Sequence, residues 1–184
     1  IDCRDAGVMA RDGGVISGVG GLNKEGSGRL VLTGENAYTG GTMISAGTLQ
    51  IGNGGTSGSI MGDVSNSGVL VFNRSDESSL GGVISGTGSI EQQGQGKVTL
   101  TGANTYTGGT TINAGTLQIG DGGTTGSIVG DVSNDSILTF NRSDDISYGG
   151  VISGIGGLNK EGSGRLMLTA ENAYTGGTTI GAGT

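Results

Sequence analysis

The chain has 184 residues, a net charge of −7 and 44 glycines, and it contains no proline, tryptophan or histidine. It lacks a basic stripe and has only 3% aromatic residues, which argues against nucleic-acid binding. Glycine does not recur at every third position, and Thr, Val and Ile form short alternating runs. These features disfavour collagen, disorder and membrane helices, and they predict many short strands joined by tight corners.

The first twelve residues, IDCRDAGVMARD, match nothing later in the chain and hold its one cysteine, Cys3. They are either the end of a diverged preceding repeat or a cloning remnant. Beyond them, Gly-Gly-Val-Ile-Ser-Gly stands at 13–18, 81–86 and 149–154, so the phrase returns at a constant step of 68 along the sequence. A fixed period is the signature of a solenoid. We therefore predict a non-repeat segment, 1–12, and one solenoid domain, 13–184, with repeats 13–80, 81–148 and a truncated 149–184.

Within each repeat, pairs of large apolar residues lie two apart, so both side chains of a pair point to one side of a strand. The pairs are Leu30/Leu32, Leu49/Ile51 and Leu70/Phe72 in the first copy, and Val98/Leu100, Leu117/Ile119 and Leu138/Phe140 in the second. The first-copy pairs are separated by steps of 19 and 21 along the sequence, and a longer step of 28 leads on to Val98. This spacing predicts a coil with about three turns per repeat and a longer third turn.

No segment shows a sustained 3.6-residue apolar period, so we expect essentially no α-helix. Stacked turns of parallel strands should share one aliphatic core, and about eight turns at roughly 4.8 Å give a rod about 40 Å long. Residues between the paired positions drift between apolar and polar, as in Val31, Thr99 and Met167. We therefore predict that Leu117 faces the core and cannot accept a charge, whereas Gln118 faces outward and tolerates one.

One stretch recurs in each repeat. Val98–Gly120 reads VTLTGANTYTGGTTINAGTLQIG, Leu30–Gly52 reads LVLTGENAYTGGTMISAGTLQIG, and a third copy runs from Leu166 to Thr184. The common pattern, L-x-L-T-G-x-N-x-Y-T-G-G-T-x-I-x-A-G-T-L-Q-I-G, resembles the passenger-associated transport repeat of bacterial autotransporters, the type V secretion proteins. The preceding GVISGxGGLNKEGSG is also similar to this family, so the resemblance covers all but the first dozen residues.

The resemblance implies an all-β, right-handed parallel β-helix that is exported through its own C-terminal outer-membrane β-barrel. It also implies that the repeats help the passenger cross the outer membrane and fold vectorially outside. The expected location is the bacterial cell surface or outer membrane, or the secreted fraction. The sequence contains neither a signal peptide nor a barrel, and Cys3 is unusual for such passengers, so we expect a fragment of a longer passenger.

These considerations predict a non-catalytic stalk that supports secretion and cell-surface adhesion. The alternative is a self-association module for autoaggregation or biofilm formation, and a polysaccharide-acting β-helix enzyme is less favoured. The expected partners are the chain's own barrel, host-cell or extracellular-matrix components and further copies of the chain, but no nucleic acid.

No catalytic, cofactor-binding or metal-binding residue is predicted, and no cofactor. Because histidine is absent, Ser-His-Asp and Cys-His sites cannot be built. Equivalent acids in successive repeats should lie three turns, or about 14 Å, apart, which is too far for a carboxylate pair. The acids concerned are Asp63, Asp76, Glu77, Asp131, Asp144 and Asp145.

Two polar loops leave alternatives open. The sequence Asn-Arg-Ser-Asp at 73–76 and 141–144 could form contact loops, although we favour turns in which Asn and Asp bond nearby backbone. Gly120-Asp121-Gly122-Gly123 bears a faint likeness to a calcium β-roll, but Asn53 at the equivalent position argues against that interpretation.

Two rows of side chains also have alternative interpretations. Tyr38, Tyr106 and Tyr174 could form an exposed row that binds glycans, but we favour tyrosines packed over a corner beside Asn36, Asn104 and Asn172. Threonines could form ladders like those of ice-binding β-helices, although Thr also has a high strand propensity. The threonines are Thr42, Thr48, Thr110, Thr111, Thr116, Thr178 and Thr179.

Overall fold

The computed structural model describes residues 14–184, so the segment predicted at 1–12 lies outside the described residues. Residues 14–184 contain short strands and no helix, and hence none that could span a membrane. In chain order the strands are β1 (Ser17–Gly18), β2 (Leu22–Lys24), β3 (Arg29–Leu32), β4 (Ala37–Tyr38), β5 (Thr42–Ile44), β6 (Thr48–Ile51), β7 (Val64–Asn66), β8 (Val69–Phe72), β9 (Ser78–Leu80), β10 (Ile84–Ser85), β11 (Ser89–Gln92), β12 (Lys97–Leu100), β13 (Thr110–Ile112), β14 (Thr116–Ile119), β15 (Val132–Asn134), β16 (Ile137–Asn141), β17 (Ile146–Tyr148), β18 (Ile152–Gly154), β19 (Gly157–Glu161), β20 (Leu166–Leu168), β21 (Ala173–Tyr174) and β22 (Thr178–Ile180).

The paired strands of residues 14–184 all run parallel, and they stack into three faces. Face 1 contains β1, β4, β9, β12, β14, β16, β19 and β22; face 2 contains β2, β5, β7, β10, β17 and β20; face 3 contains β3, β6, β8, β11, β13, β15, β18 and β21. The chain visits the faces in this order, so one strand from each makes a turn. Leu30, for example, pairs with Leu49, which pairs with Leu70.

The described chain is a parallel β-solenoid of about eight turns, which confirms the predicted fold class. This architecture is consistent with the right-handed parallel β-helix expected from the resemblance.

Each repeat occupies slightly more than three turns. From β2 to the equivalent β11 the chain lays down ten strand segments, counting the bridged segment around Ser59, and three segments make a turn. The repeat is therefore three and one third turns long. Equivalent strands consequently move on by one face with each repeat, as β6 lies on face 3 and its equivalent β14 on face 1.

The apolar pairs predicted to face inward are buried and stacked in register. Leu49 and Ile51 lie between Leu30 and Leu32 on one side and Leu70 and Phe72 on the other, and all six side chains are at most 4% exposed. The longer step to Val98, however, is not one long turn. Ile90 pairs directly with Leu70 and so continues face 3 within that step, whereas Val98 pairs with Ser78 on face 1.

The central outward-facing residues of several strands are also buried, contrary to the sequence prediction. Gln118 is only 7% exposed, pairs with Thr99 and Thr139 in the neighbouring turns, and donates from Nε2 to the Gly120 carbonyl at 2.8 Å. Val71, at a corresponding place on face 3, is 1% exposed. The inward positions are thus assigned correctly, but the outward ones are not all free surface.

Three equivalent corners are closed by a long polar side chain that points into the coil. Lys24 is 2% exposed, and its ammonium donates to the carbonyls of Glu25, Gly26 and Ala46 at 2.7–3.1 Å. In the second repeat Gln92 takes this place and donates to the carbonyls of Gly94 and Gly96. Lys160 repeats the lysine arrangement, and burial lowers the pKa of its ammonium. A buried donor at this corner is therefore required, but not a charge.

Candidate functional site

Two cavities within residues 14–184 lie where a face is interrupted. Face 1 breaks between β4 and β9, and face 2 breaks between β10 and β17. The segment at each break makes a single parallel bridge to the turn below, from Ser59 to Glu35 and from Ser127 to Ala103. We call the cavity at the first break crevice 1, of about 290 Å³, and the cavity at the second break crevice 2, of about 270 Å³.

The crevices are sequence-equivalent copies. Crevice 1 is lined by Glu35, Ile51, Gly58, Ser59, Ile60, Phe72, Arg74, Glu77, Ser78, Ser79 and Leu80. Crevice 2 is lined by Ile119, Gly126, Ser127, Ile128, Phe140, Arg142, Asp144, Asp145, Ile146, Ser147 and Tyr148. Because equivalent strands move on by one face per repeat, the two crevices open on different sides of the rod.

A glycine-rich loop, 52–58, forms the rim of crevice 1. It pairs with the 73–76 corner of the next turn, through bonds from Gly54 N to Asn73 O and from Ser75 N to Gly55 O at 2.8 and 2.9 Å. The loop returns through Gly58, at φ +106°, where an added Cβ would lie 2.5 Å from the carbonyl oxygen of Leu32. Only glycine fits there, because the positive φ and the close backbone both exclude a side chain.

Arg74 holds this rim closed. Its Nε and Nη2 pair with the Asp76 carboxylate at 2.9 and 2.8 Å. Nη2 also donates to the Thr56 carbonyl at 2.5 Å, and Nη1 donates to the Gly58 carbonyl at 2.6 Å and to Glu35 Oε1 at 3.2 Å. All five guanidinium donors are therefore used.

The two carboxylates bound by Arg74, those of Asp76 and Glu35, both have lowered pKa values. The pKa of Asp76 is lowered, chiefly by its hydrogen bonds with Arg74. The pKa of Glu35 is also lowered, first by a hydrogen bond from the Ser59 hydroxyl and then by the Gly58 N–H and the Arg74 guanidinium, against some desolvation. Near neutral pH the crevice therefore contains one arginine bound to two carboxylates.

We call Arg74 and its carboxylate and carbonyl partners the arginine clamp. Crevice 2 repeats this clamp but lacks a counterpart of the Glu35 carboxylate. Arg142 pairs with Asp144 through Nε and Nη2 at 2.8 and 2.6 Å, and donates to the carbonyls of Thr124 and Gly126. The pKa of Asp144 is lowered by these bonds with Arg142. At the position equivalent to Glu35 stands Ala103, so no carboxylate reaches the second Nη1 hydrogen.

The sequence-based interpretation of the polar loops was right about their structural role but missed the residue responsible. The 73–76 and 141–144 corners are closed turns, yet the side chain that ties them to the neighbouring loop is that of the arginine, and the asparagine contributes its backbone carbonyl. A signal was present, because a repeated Arg-x-Asp faces a repeated glycine-rich loop. Neither the partner loop nor Glu35 could be inferred from spacing alone.

The tyrosine row is not an exposed glycan platform, because Tyr38 and Tyr106 are 1% and 0% exposed. The Tyr106 hydroxyl lies 2.6 Å from the Thr110 hydroxyl, and burial raises the pKa of Tyr106 to about 12. Asn104 accepts from Ile84 N and donates to the Ser127 carbonyl, joining three turns. The favoured structural interpretation is confirmed for Tyr38 and Tyr106, whereas Tyr174, in the last described turn, is half-buried.

The threonines do not form one continuous ladder. Thr42 lies on face 2, its equivalent Thr110 on face 3 and Thr178 on face 1. Thr42 and Thr110 are buried, and their hydroxyls contact tyrosines. The regular flat row that ice binding needs is therefore not built from these residues.

The other acids predicted to lie in corner loops serve as caps or surface ion pairs. Asp63 and Asp131 accept from the backbone N–H groups of Val83 and Val151 at 2.8 and 2.9 Å. Glu77 pairs with Lys97 at 3.1 Å. Within residues 14–184 no group of three Asp, Glu, Cys or His side chains could hold a metal ion, and Asp121 instead accepts from Gly123 N.

Comparison with known proteins shows which family model and which relative these repeats are similar to. The passenger-associated-transport-repeat model matches residues 22–51, 90–119 and 158–184. The chain is 42% identical over 200 residues to the Adhesin BmaC autotransporter of Brucella suis biovar 1 (strain 1330), covering 97% of this chain. It spans only 6% of that relative's length. No solved structure is significantly similar to the chain.

Proposed function

We propose that the chain, which matches the passenger-associated transport repeat three times, is a non-catalytic β-helical stalk of a bacterial autotransporter passenger. The stalk supports secretion across the outer membrane and contributes to cell-surface adhesion. The observation that carries the proposal is the placement of the repeats. Their motif residues form the core and corners of the coil, such as Leu117, Tyr106 and Asn104, so the repeats encode the rod itself.

A coil of this kind suits vectorial folding outside the cell. Each new turn hydrogen-bonds to the preceding one along the faces, as Leu117 pairs with Val98 and then Leu138 with Leu117. Each turn also buries its apolar side chains against the last, so the folded part templates the next segment to emerge. Burial at every step then favours continued export.

A non-catalytic role is supported by the chemistry of the acids. Asp76 and Asp144 are each bound by an arginine, and Asp63 and Asp131 cap backbone N–H groups. Groups held this way are poorly suited to exchange protons with a sugar substrate. The relative that aligns with 97% of this chain is named an adhesin.

The proposed partners follow from the family. They are the passenger's own C-terminal outer-membrane β-barrel and host-cell or extracellular-matrix components, and the proposed location is the bacterial surface or the secreted fraction. Adhesive contacts should lie on exposed, variable positions, for example Val19 and Ile155, which are 92% and 72% exposed.

Surface display tests this proposal. The chain is fused between a signal peptide and an autotransporter barrel, and display and binding to host cells or matrix protein are measured. We expect display of the wild type and its loss in Leu117→Asp, which cannot form the coil. Display with adhesion supports both parts. Equal display of the unfolded variant would refute the secretion role, and displayed chain that binds nothing would refute the adhesive role.

Self-association is a second candidate, favoured by the outer surface of face 2. Its central outward residues are Asn23, Met43, Ser65 and Ser85, all uncharged, and Met43 is 46% exposed. A row without charge allows two rods to pack side by side. Light scattering of Met43→Asp against wild type tests this, with Glu91→Asp on face 3 as the matched control. A mass that falls only in Met43→Asp supports self-association, and a monomeric wild type refutes it.

A further inference from the structure

The two crevices differ at several lining positions, and one difference concerns the arginine directly. Glu35 places its carboxylate beside Arg74 in crevice 1, and Ala103 leaves the equivalent place beside Arg142 in crevice 2 without a carboxylate. We propose that crevice 2 binds the carboxylate group of an external ligand at the place that the Glu35 carboxylate takes in crevice 1. This proposal is independent of the role of the chain in secretion.

Crevice 1 shows which donors hold the carboxylate. Glu35 Oε1 accepts from Gly58 N at 3.0 Å and from Arg74 Nη1 at 3.2 Å. The Ser59 hydroxyl bonds the same carboxylate, and these contacts lower its pKa. The carboxylate is thus bound by a backbone N–H, a guanidinium and a hydroxyl, a set that favours the ionised form.

Crevice 2 contains the three equivalent donors in the same backbone setting, and of these the Ser127 hydroxyl already donates to the Asn104 carbonyl over a long 3.5 Å. Ala103 bridges to Ser127 as Glu35 bridges to Ser59, and Gly126 has φ +97° where Gly58 has +106°. Among the hydrogen bonds of residues 14–184, none uses Gly126 N, and Arg142 Nη1 donates only to the Gly126 carbonyl. Arg142 is only 12% exposed at its side chain, so a bound carboxylate would replace little hydration.

The neighbouring carboxylates do not exclude this ligand. Arg74 holds Glu35 while already paired with Asp76, so an arginine in this clamp accepts a second carboxylate. Asp144 is engaged by Arg142 as Asp76 is by Arg74, and Asp145 lies near Arg165 at 3.7 Å. The charge arrangement of crevice 1 can therefore be completed in crevice 2.

The walls of crevice 2 limit the size and character of the ligand. Ile128, Phe140 and Tyr148 are at most 5% exposed, and the Tyr148 hydroxyl already donates to the Gly130 carbonyl at 2.5 Å. A volume of about 270 Å³ accommodates one small group. The ligand is therefore a single carboxylate on a short carbon frame, and the glutamate side chain of a partner protein matches it, because a glutamate side chain takes the same place in crevice 1.

The test is an NMR titration of the full chain, labelled with ¹⁵N, at constant ionic strength and neutral pH. The probes are N-acetylglutamate N-methylamide and glucuronate, with N-acetylglutamine N-methylamide as the neutral match of the first. We expect saturable shifts of the Gly126 and Ser127 amides with N-acetylglutamate N-methylamide, none at Gly58, and at least tenfold weaker binding of the neutral match. Stronger binding of glucuronate than of the glutamate probe would overturn the assignment of the ligand to a glutamate side chain.

Two variants provide matched controls. Ala103→Glu supplies the carboxylate from the chain itself and should abolish the shifts or weaken binding at least tenfold, with the remaining spectrum unchanged. Glu35→Ala empties crevice 1 and should make Gly58 respond to the same probe. The proposal is overturned if neither carboxylate gives saturable shifts, if the neutral match binds equally well, or if Ala103→Glu binds as the wild type does.

Discussion

Replacing Leu117 and its neighbour Gln118 by alanine, one at a time, tests how burial is distributed across a strand of the coil. Both residues lie on β14, in the middle of the six-stranded sheet of face 1. Leu117 points into the core and Gln118 points away from it. The two substitutions remove side chains of similar length from adjacent positions with the same strand neighbours.

The structure predicts different losses in the free energy of unfolding for the two alanine substitutions. Leu117 is 0% exposed and stacked between Val98 and Leu138, so its truncation leaves a cavity and should cost about 3 to 4 kcal/mol. Gln118 is 7% exposed and loses one hydrogen bond, to the Gly120 carbonyl, so its truncation should cost about 1 kcal/mol. A charge at Gln118 should cost more than alanine, because the position is covered.

Urea unfolding followed by circular dichroism measures both values, and amide exchange locates the damage. Because each turn contacts only its neighbours, Leu117→Ala should raise exchange most in the turns containing β12, β14 and β16. Equal losses of stability for the two variants would refute the inward and outward assignment. A uniform rise in exchange along the rod would refute the nearest-neighbour picture.

Three further outcomes are expected. Lys24→Gln should change stability by less than about 1 kcal/mol, because Gln92 fills the same corner, whereas Lys24→Met should cost about 2 kcal/mol more in urea unfolding by leaving buried carbonyls without a donor. Tyr106 has a folded pKa of about 12 against 10 in the unfolded chain, so folding favours its neutral form. Its contribution to the free energy of unfolding is therefore complete below pH 10, and about 2 to 3 kcal/mol of that free energy is lost as the pH rises from 10 to 12. Unfolding at pH 8 and pH 11 should show about half of this loss in the wild type, because pH 11 lies midway between the two pKa values, and a smaller loss in Tyr106→Phe; an equal loss in both would assign the alkaline transition elsewhere. Arg74→Gln should raise amide exchange in loop 52–58 and leave the equivalent loop 120–126 unchanged, and unchanged exchange in both loops would show that the arginine does not hold the rim.

Much of the fold could be predicted because strand geometry leaves a direct mark on the sequence. Side chains two apart share one side of a strand, so pairs such as Leu49/Ile51 located the core, and the fixed period indicated stacking. The prediction that the 28-residue step from Leu70 to Val98 forms one long turn was wrong for an equally direct reason. Ile90 is followed two residues on by Gln92, whose polar side chain points inward and closes a corner, so this strand did not show an apolar pair.

The candidate site could be predicted only in part, because it depends on which turns become neighbours. The repeated Arg-x-Asp is visible in the sequence, but its contact with the preceding glycine-rich loop requires the coil. The exchange of Glu35 for Ala103 is also visible as one difference between two copies of a motif. Its meaning depends on a backbone N–H and a guanidinium that only the fold brings together.

The extra third of a turn in each repeat has a consequence for how such a chain can lengthen. Inserting one more copy of the repeat would advance everything beyond it by about 16 Å and swing it through about 120°, given strands spaced at about 4.8 Å. Two chains that differ by a single copy would present the same distal patch on different sides of the rod axis. Only after three copies, or ten full turns, would the distal patch face its original side again. The number of repeat copies would therefore determine the direction in which a distal patch faces as well as its distance along the rod.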